Sequence, residues 1–202
     1  IDTVETAPLG VGVGLVGQLY RLRCTTPEGP ISIIAKMAAV SEENRFVAMV
    51  LNMHGREVGF YSELAEQAQI SVPECHYSAH NPENHDCVLL LEDLAPRGEL
   101  KDQIAGAGLE DVAPAIRVLA RFHASTWDDP TKTSAPWLPR LDDANIIGAV
   151  QMAYAGAWPK IQEFFPELLT PELQKLGDEY SDHIPALFGK LCEGPCVLSH
   201  GD

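Results

Sequence analysis

The chain predicts an α+β fold in two unequal lobes, the first built on an antiparallel sheet and the second mainly helical. Short strand-like runs, punctuated by Gly and Pro turns, fill much of residues 1–94. One long amphipathic stretch interrupts them, and beyond residue 95 apolar residues recur at helical spacing. A length of 202 residues, 46% hydrophobic and 21% charged, suits one large domain or two small lobes and excludes a disordered chain.

Val4 to Cys24 reads as two strands joined by a glycine loop. Thr26-Pro27-Glu28-Gly29 then supplies a turn and Ile31 to Ala38 a third strand, which makes an antiparallel meander. From Ser41 to Gln67 the apolar residues Phe46, Met49, Val50, Met53, Phe60, Tyr61 and Leu64 recur at three- and four-residue intervals, the spacing of a single amphipathic helix. Ser41 can cap its start, Glu42 and Glu43 suit the positive end of its dipole, and Ser71-Val72-Pro73 ends it. A strand through Cys87 to Leu91 should pair as a hairpin with Cys75 to Ser78. After Glu92-Asp93-Leu94 an Ala-Pro-Arg-Gly linker sets the expected boundary: residues 1–94 form the strand-rich lobe with its hinge, residues 95–202 the helical one. Helices are predicted over Val112 to Thr126, Ile146 to Phe165 and Pro171 to Phe188, the second stopped by Pro166. An apolar strand is expected to run into His200-Gly201-Asp202.

The formal net charge of −15 disfavours nucleic acid, because phosphate binding draws on clustered Lys and Arg. A neutral or cationic small molecule is the better-suited partner. No apolar run approaches the roughly 20 residues that span a bilayer. IDTVETAPLG lacks the basic start and apolar segment of a signal peptide, so no membrane association and a cytoplasmic location are expected. Cys24, Cys75, Cys87, Cys192 and Cys196 contain no C-x-x-C pair and read as reduced thiols. His76, His80, His85 and Cys87 are close in sequence, but NPENHD reads as a solvated turn, and no residue of the chain is assigned to a metal.

Three features carry chemistry. GVGVGLVG contains G-x-G-x-x-G at Gly12, Gly14 and Gly17, and glycines let backbone N–H groups approach phosphate oxygens. A dinucleotide-binding oxidoreductase would need a helix directly after Gly17, whereas Gln18 to Arg23 alternates as a strand, as in a flap over ATP; a plain hairpin turn is the simpler alternative. Lys36 sits inside the apolar strand ISIIAKMA, where a charge is costly without a partner. Glu57 falls within the stripe of Met53, Phe60 and Leu64 and so points at the core, which makes the two a candidate ion pair. Otherwise Lys36 would reach solvent from an edge strand. Finally, a carboxylate at Asp202 could accept a hydroxyl proton during phosphoryl transfer.

In this order the parts resemble the amino-terminal portion of a small-molecule kinase of the aminoglycoside phosphotransferase and choline kinase superfamily, with its protein-kinase-like two-lobe fold. GQLYRL, IIAKM, REVGFYSEL, VPECHY, VLLLEDL, LARFHASTW and LSHGD carry the likeness, which is nearest to the ecdysteroid-kinase-like group. The resemblance implies an enzyme that uses ATP and magnesium to phosphorylate a hydroxyl of a small molecule. Gly12, Gly14 and Gly17 would cover the nucleotide, Leu19 would lie next to the adenine ring, and Lys36 would bind phosphates while paired with Glu57. The backbone of Glu92, Asp93 and Leu94 would meet the adenine edge. Asp202 would be the catalytic base, with His200 holding its loop. The metal ligands are expected beyond Asp202, an Asn five residues on and a later Asp. A chain that starts at Ile1 and stops at Asp202 therefore reads as a fragment without turnover. A catalytically dead nucleotide-binding module is the alternative. LARFHASTW also has a bland reading, with His123 as core, and Trp127, Trp137 and Trp158 read as core sooner than as an acceptor pocket.

Overall fold

The computed structural model describes residues 1–10, 17–99 and 104–200. Five strands, β1 (Thr3–Leu9), β2 (Gly17–Thr26), β3 (Gly29–Ala38), β4 (Cys75–His80) and β5 (Cys87–Glu92), form one sheet in the order β1-β2-β3-β5-β4. Every neighbouring pair is antiparallel. Thr26 faces Gly29 across the two-residue turn Pro27-Glu28, and Gly29 takes φ +126°, a value glycine adopts without a steric penalty. After β3 the chain crosses through helices, returns at the sheet edge as β4 and folds back as β5 into the slot beside β3. Cys87, Leu89 and Leu91 alternate as buried residues along β5, as a strand with one covered face requires.

The covering helices depart from expectation in one respect. Where the apolar spacing predicts one helix from Ser41 to Gln67, there are two, α1 (Glu42–Val50) and α2 (Met53–Gly59), the latter running on into a π-helical turn over Phe60–Leu64. Ser41 caps α1 by accepting the Asn44 N–H at 3.1 Å. The break falls at Asn52, whose φ of +47° is in the left-handed region that Asn tolerates better than most residues. α2 therefore starts afresh and is not bound to the register of α1.

The remaining helices are α3 (Leu109–Thr126), α4 (Pro130–Thr133), α5 (Ala144–Phe164) and α6 (Pro171–Leu191). The change from strands to helices thus falls between Glu92 and Leu109, and the whole is an α+β fold. α4 was not expected; Asp129 caps it, accepting the Thr131 N–H at 3.0 Å. The apolar run into His200 is not a strand. Pro195 to His200 carry no regular structure, and the buried Leu198 gives its N–H to a side chain, Thr126 Oγ1, at 3.1 Å.

Compactness divides the chain into Ile1–Trp137 with the segment from Val197, and Leu138–Cys196. The first unit holds the sheet and α1 to α4. In the second, α5 packs on α6, where Trp158 lies against Gly177, Tyr154 donates to the Gly177 carbonyl at 2.8 Å and Ile184 is fully buried. Trp127, by contrast, is 61% exposed and is not core. No helix among the described residues is long and apolar enough to cross a membrane.

Candidate functional site

β2 begins at Gly17 itself, so a strand and not a helix follows the glycines, which removes the dinucleotide-binding alternative. The register sets Leu19 opposite Lys36 and Lys36 opposite Leu89, placing the three on one face of the sheet. A Cβ on Gly17 would lie 3.0 Å from the Met37 carbonyl oxygen and 3.7 Å from Lys36 Cε. Any other residue would press on the backbone of β3 and touch the lysine stem at ordinary contact distance.

α2 covers this face and brings Glu57 to the lysine, with Lys36 Nζ 2.7 Å from Glu57 Oε1. The expected ion pair is formed. The side chains are 32% and 27% exposed, so the pair is partly desolvated and its ammonium can still be reached from outside. Tyr61, Cys87 and His54 beside it are uncharged at neutral pH. Burial, and after it the charge of Glu57, pushes the Tyr61 hydroxyl up to about 12 and the Cys87 thiol up to about 11. His54, 4% exposed and without a partner for Nε2 among the described residues, is held below the usual imidazole value by burial, although Glu57 pulls the other way. Glu57 is thus the anion that Lys36 meets.

The residues after β5 are tied down by their own side chains. The Asp93 carboxylate, 7% exposed, accepts from Ser32 Oγ at 2.6 Å, from Arg21 Nε at 2.7 Å and Nη2 at 3.3 Å, and from the Ala95 N–H at 3.1 Å. These bonds, that of Ser32 foremost, hold it at about 2. Glu92 accepts from Arg97 at 2.7 and 3.0 Å and from the Glu74 N–H at 3.2 Å, and is likewise lowered. Both carboxylates are engaged within the chain, as are two backbone groups beside them: the Glu92 N–H donates to the Glu74 carbonyl at 2.8 Å and the Leu94 carbonyl accepts the Arg97 N–H at 3.0 Å.

The Asp93 clasp makes a pH prediction. Its folded value of about 2 lies below the ordinary 3.8, so the clasp contributes fully above pH 3.8 and is lost as pH falls through about 2. Urea unfolding followed from pH 6 to pH 2 should show stability declining over the lower part of that range. Asp93→Asn should flatten that part of the profile and lower stability at pH 7 by about 1.5–3 kcal/mol, the usual worth of hydrogen bonds to a charged group. A variant profile parallel to wild type would rule the clasp out as the cause.

Gly12, Gly14 and Asp202 lie outside the described residues. His200 is exposed and follows the anchored Leu198 by two positions. That anchor, Thr126, is 2% exposed and sits at the carboxy end of α3, so the start of LSHGD is fastened to the helix of LARFHASTW. Thr126, Arg21 and Ser32 were not singled out in the sequence. For Arg21 the cue was its place two residues from Leu19, on the same face; Thr126 follows Phe122 by one helical turn. His123 has its Nε2 buried with no partner among the described residues. Among those residues no three or more His, Cys, Asp or Glu side chains converge as a metal site, and all five cysteines are free thiols.

A family model described as the ecdysteroid kinase-like family matches residues 16–202. No protein of curated description and no solved structure matches the chain.

Proposed function

The chain belongs to the ecdysteroid kinase-like family, and from that premise we propose that it serves an ATP-dependent phosphotransferase acting on a hydroxyl of a small molecule. The observation that carries the proposal is the 2.7 Å pair of Lys36 and Glu57 beside Gly17. A partly exposed ammonium held by a carboxylate, next to a position where a Cβ would press on the Met37 carbonyl, fits the phosphate chain of a nucleotide. ATP supplies the phosphoryl group. Glu57 fixes the ammonium, Lys36 holds phosphate oxygens, and Gly12, Gly14 and Gly17 admit backbone N–H groups to the same oxygens. Leu19, on the face of Lys36, offers apolar contact to the base, and the backbone of Glu92 to Leu94, steadied by the Asp93 clasp, meets its edge.

Asp202 accepts the proton of the attacking hydroxyl, and His200 holds the loop that carries it. Residues 1–94 thus act as the nucleotide lobe with its hinge and residues 95–202 as part of the acceptor lobe, in the cytoplasm. The described residues do not by themselves make a magnesium site.

The test is incubation of the full-length protein with ATP, magnesium and a panel of hydroxyl-bearing small molecules, read by phosphorus NMR, with the melting temperature recorded in parallel. A new phosphate ester is the expected result. A melting temperature raised by ATP with no ester on any acceptor favours a nucleotide-binding module without transfer. No shift and no ester would remove the nucleotide altogether.

A further inference from the structure

We propose that Trp137 is a positioning residue that backs α2 and so holds Glu57 against Lys36; this rests on the assignment of that pair to the nucleotide. α2 has little helical propensity of its own. It is seven residues long, MHGREVG, and two of the seven are glycines, the residue most costly in a helix interior after proline. Gly55 and Gly59 stand four apart and therefore share one side of the helix. Glu57, two positions from each, emerges about 200° away, on the opposite side and toward β3.

Both glycine positions are filled by groups tied to Trp137. A Cβ on Gly59 would come within 2.5 Å of the indole Cε2 and 2.8 Å of Cγ, so the ring rests against the helix backbone itself. A Cβ on Gly55 would meet the side chain of Asn52, with Cγ and Nδ2 at 2.9 Å. Asn52, the left-handed residue that starts α2, in turn donates from Nδ2 to the Trp137 carbonyl at 3.5 Å. The indole Nε1–H is buried and has no acceptor among the described residues, so shape and not a polar anchor places the ring. Sheet in front and indole behind leave α2 one seat. A helix shift of about an ångström that the two side chains did not follow would stretch the 2.7 Å contact past hydrogen-bond range.

Amide hydrogen exchange over α2 and titration with a fluorescent ATP analogue in the presence of magnesium test this in Trp137→Ala, Trp137→Phe, Gly59→Ala and Glu57→Gln, singly and combined. Trp137→Ala should speed exchange in α2 about tenfold or more while leaving β5 unchanged, and should weaken the analogue about 5–10-fold. Gly59→Ala, which displaces the ring without removing it, should do the same alone and nothing further on top of Trp137→Ala. Trp137→Phe should restore most of the affinity. In the Glu57→Gln background, Trp137→Ala should cost nothing more, because the ring acts through that carboxylate. Unchanged exchange in α2, or a full additional loss in the Glu57→Gln background, overturns the proposal. If Trp137→Ala does not fold, Gly59→Ala and Trp137→Phe decide it. If the wild type does not bind the analogue, the nucleotide assignment fails, while the exchange comparison still decides whether the ring holds α2.

Discussion

In the full-length protein Lys36→Met will lower kcat/KM for ATP by about 10²–10³-fold, the usual loss when one preorganised charge is taken from a transferring phosphoryl group. Met keeps the apolar stem that lies beside Gly17 and opposite Leu19 and Leu89, so the packing of β3 is preserved. What disappears is the ammonium. With Lys36 and Glu57 at 32% and 27% exposure, water can solvate the carboxylate left behind, and the unfolding midpoint should move little. Initial rates at varied ATP, on an acceptor from the panel or as slow hydrolysis without one, separate the two quantities. A variant within threefold of wild type in both kcat and KM would mean that Lys36 is only a structural partner of Glu57.

Asp202→Asn carries the second large effect, about 10²–10⁴-fold in kcat, the range that general base catalysis contributes. The amide is nearly the same size as the carboxylate but cannot take a proton, so affinity for the fluorescent ATP analogue should not change. Loss of kcat with unaltered nucleotide binding is the pattern of an interaction made only in the transition state. An Asn variant that turns over at the wild-type rate would move the base elsewhere. The two substitutions therefore differ in kind: Lys36→Met should change nucleotide binding as well as rate, Asp202→Asn rate alone.

The sheet and the central ion pair were legible in the residues. Alternation with Gly and Pro turns marks β2, β3 and β5 because a strand shows opposite faces to core and solvent at every step. Lys36 in an apolar strand and Glu57 on an apolar stripe each announce a partner, since a charge among apolar neighbours is favoured beside an opposite one. The break at Asn52 was hidden because the three- and four-residue spacing of apolar residues continues across a single left-handed residue. The run CVLS suggested a strand for the same local reason, yet the backbone of Leu198 found the hydroxyl of Thr126 and not another strand.

The sequence by itself determined the α+β class and the antiparallel meander and marked Lys36 and Glu57 as candidate partners, because periodicity and an uncompensated charge are properties of a short stretch of chain. Only the tertiary structure decided how those parts are held. Arg21 and Ser32 meet Asp93 from 72 and 61 residues away, Asn52 meets Trp137 across 85, and Leu198 meets Thr126 across 72. Polar groups that burial has cut off from water take whichever donor or acceptor chain closure brings near. Which one that is depends on the whole fold.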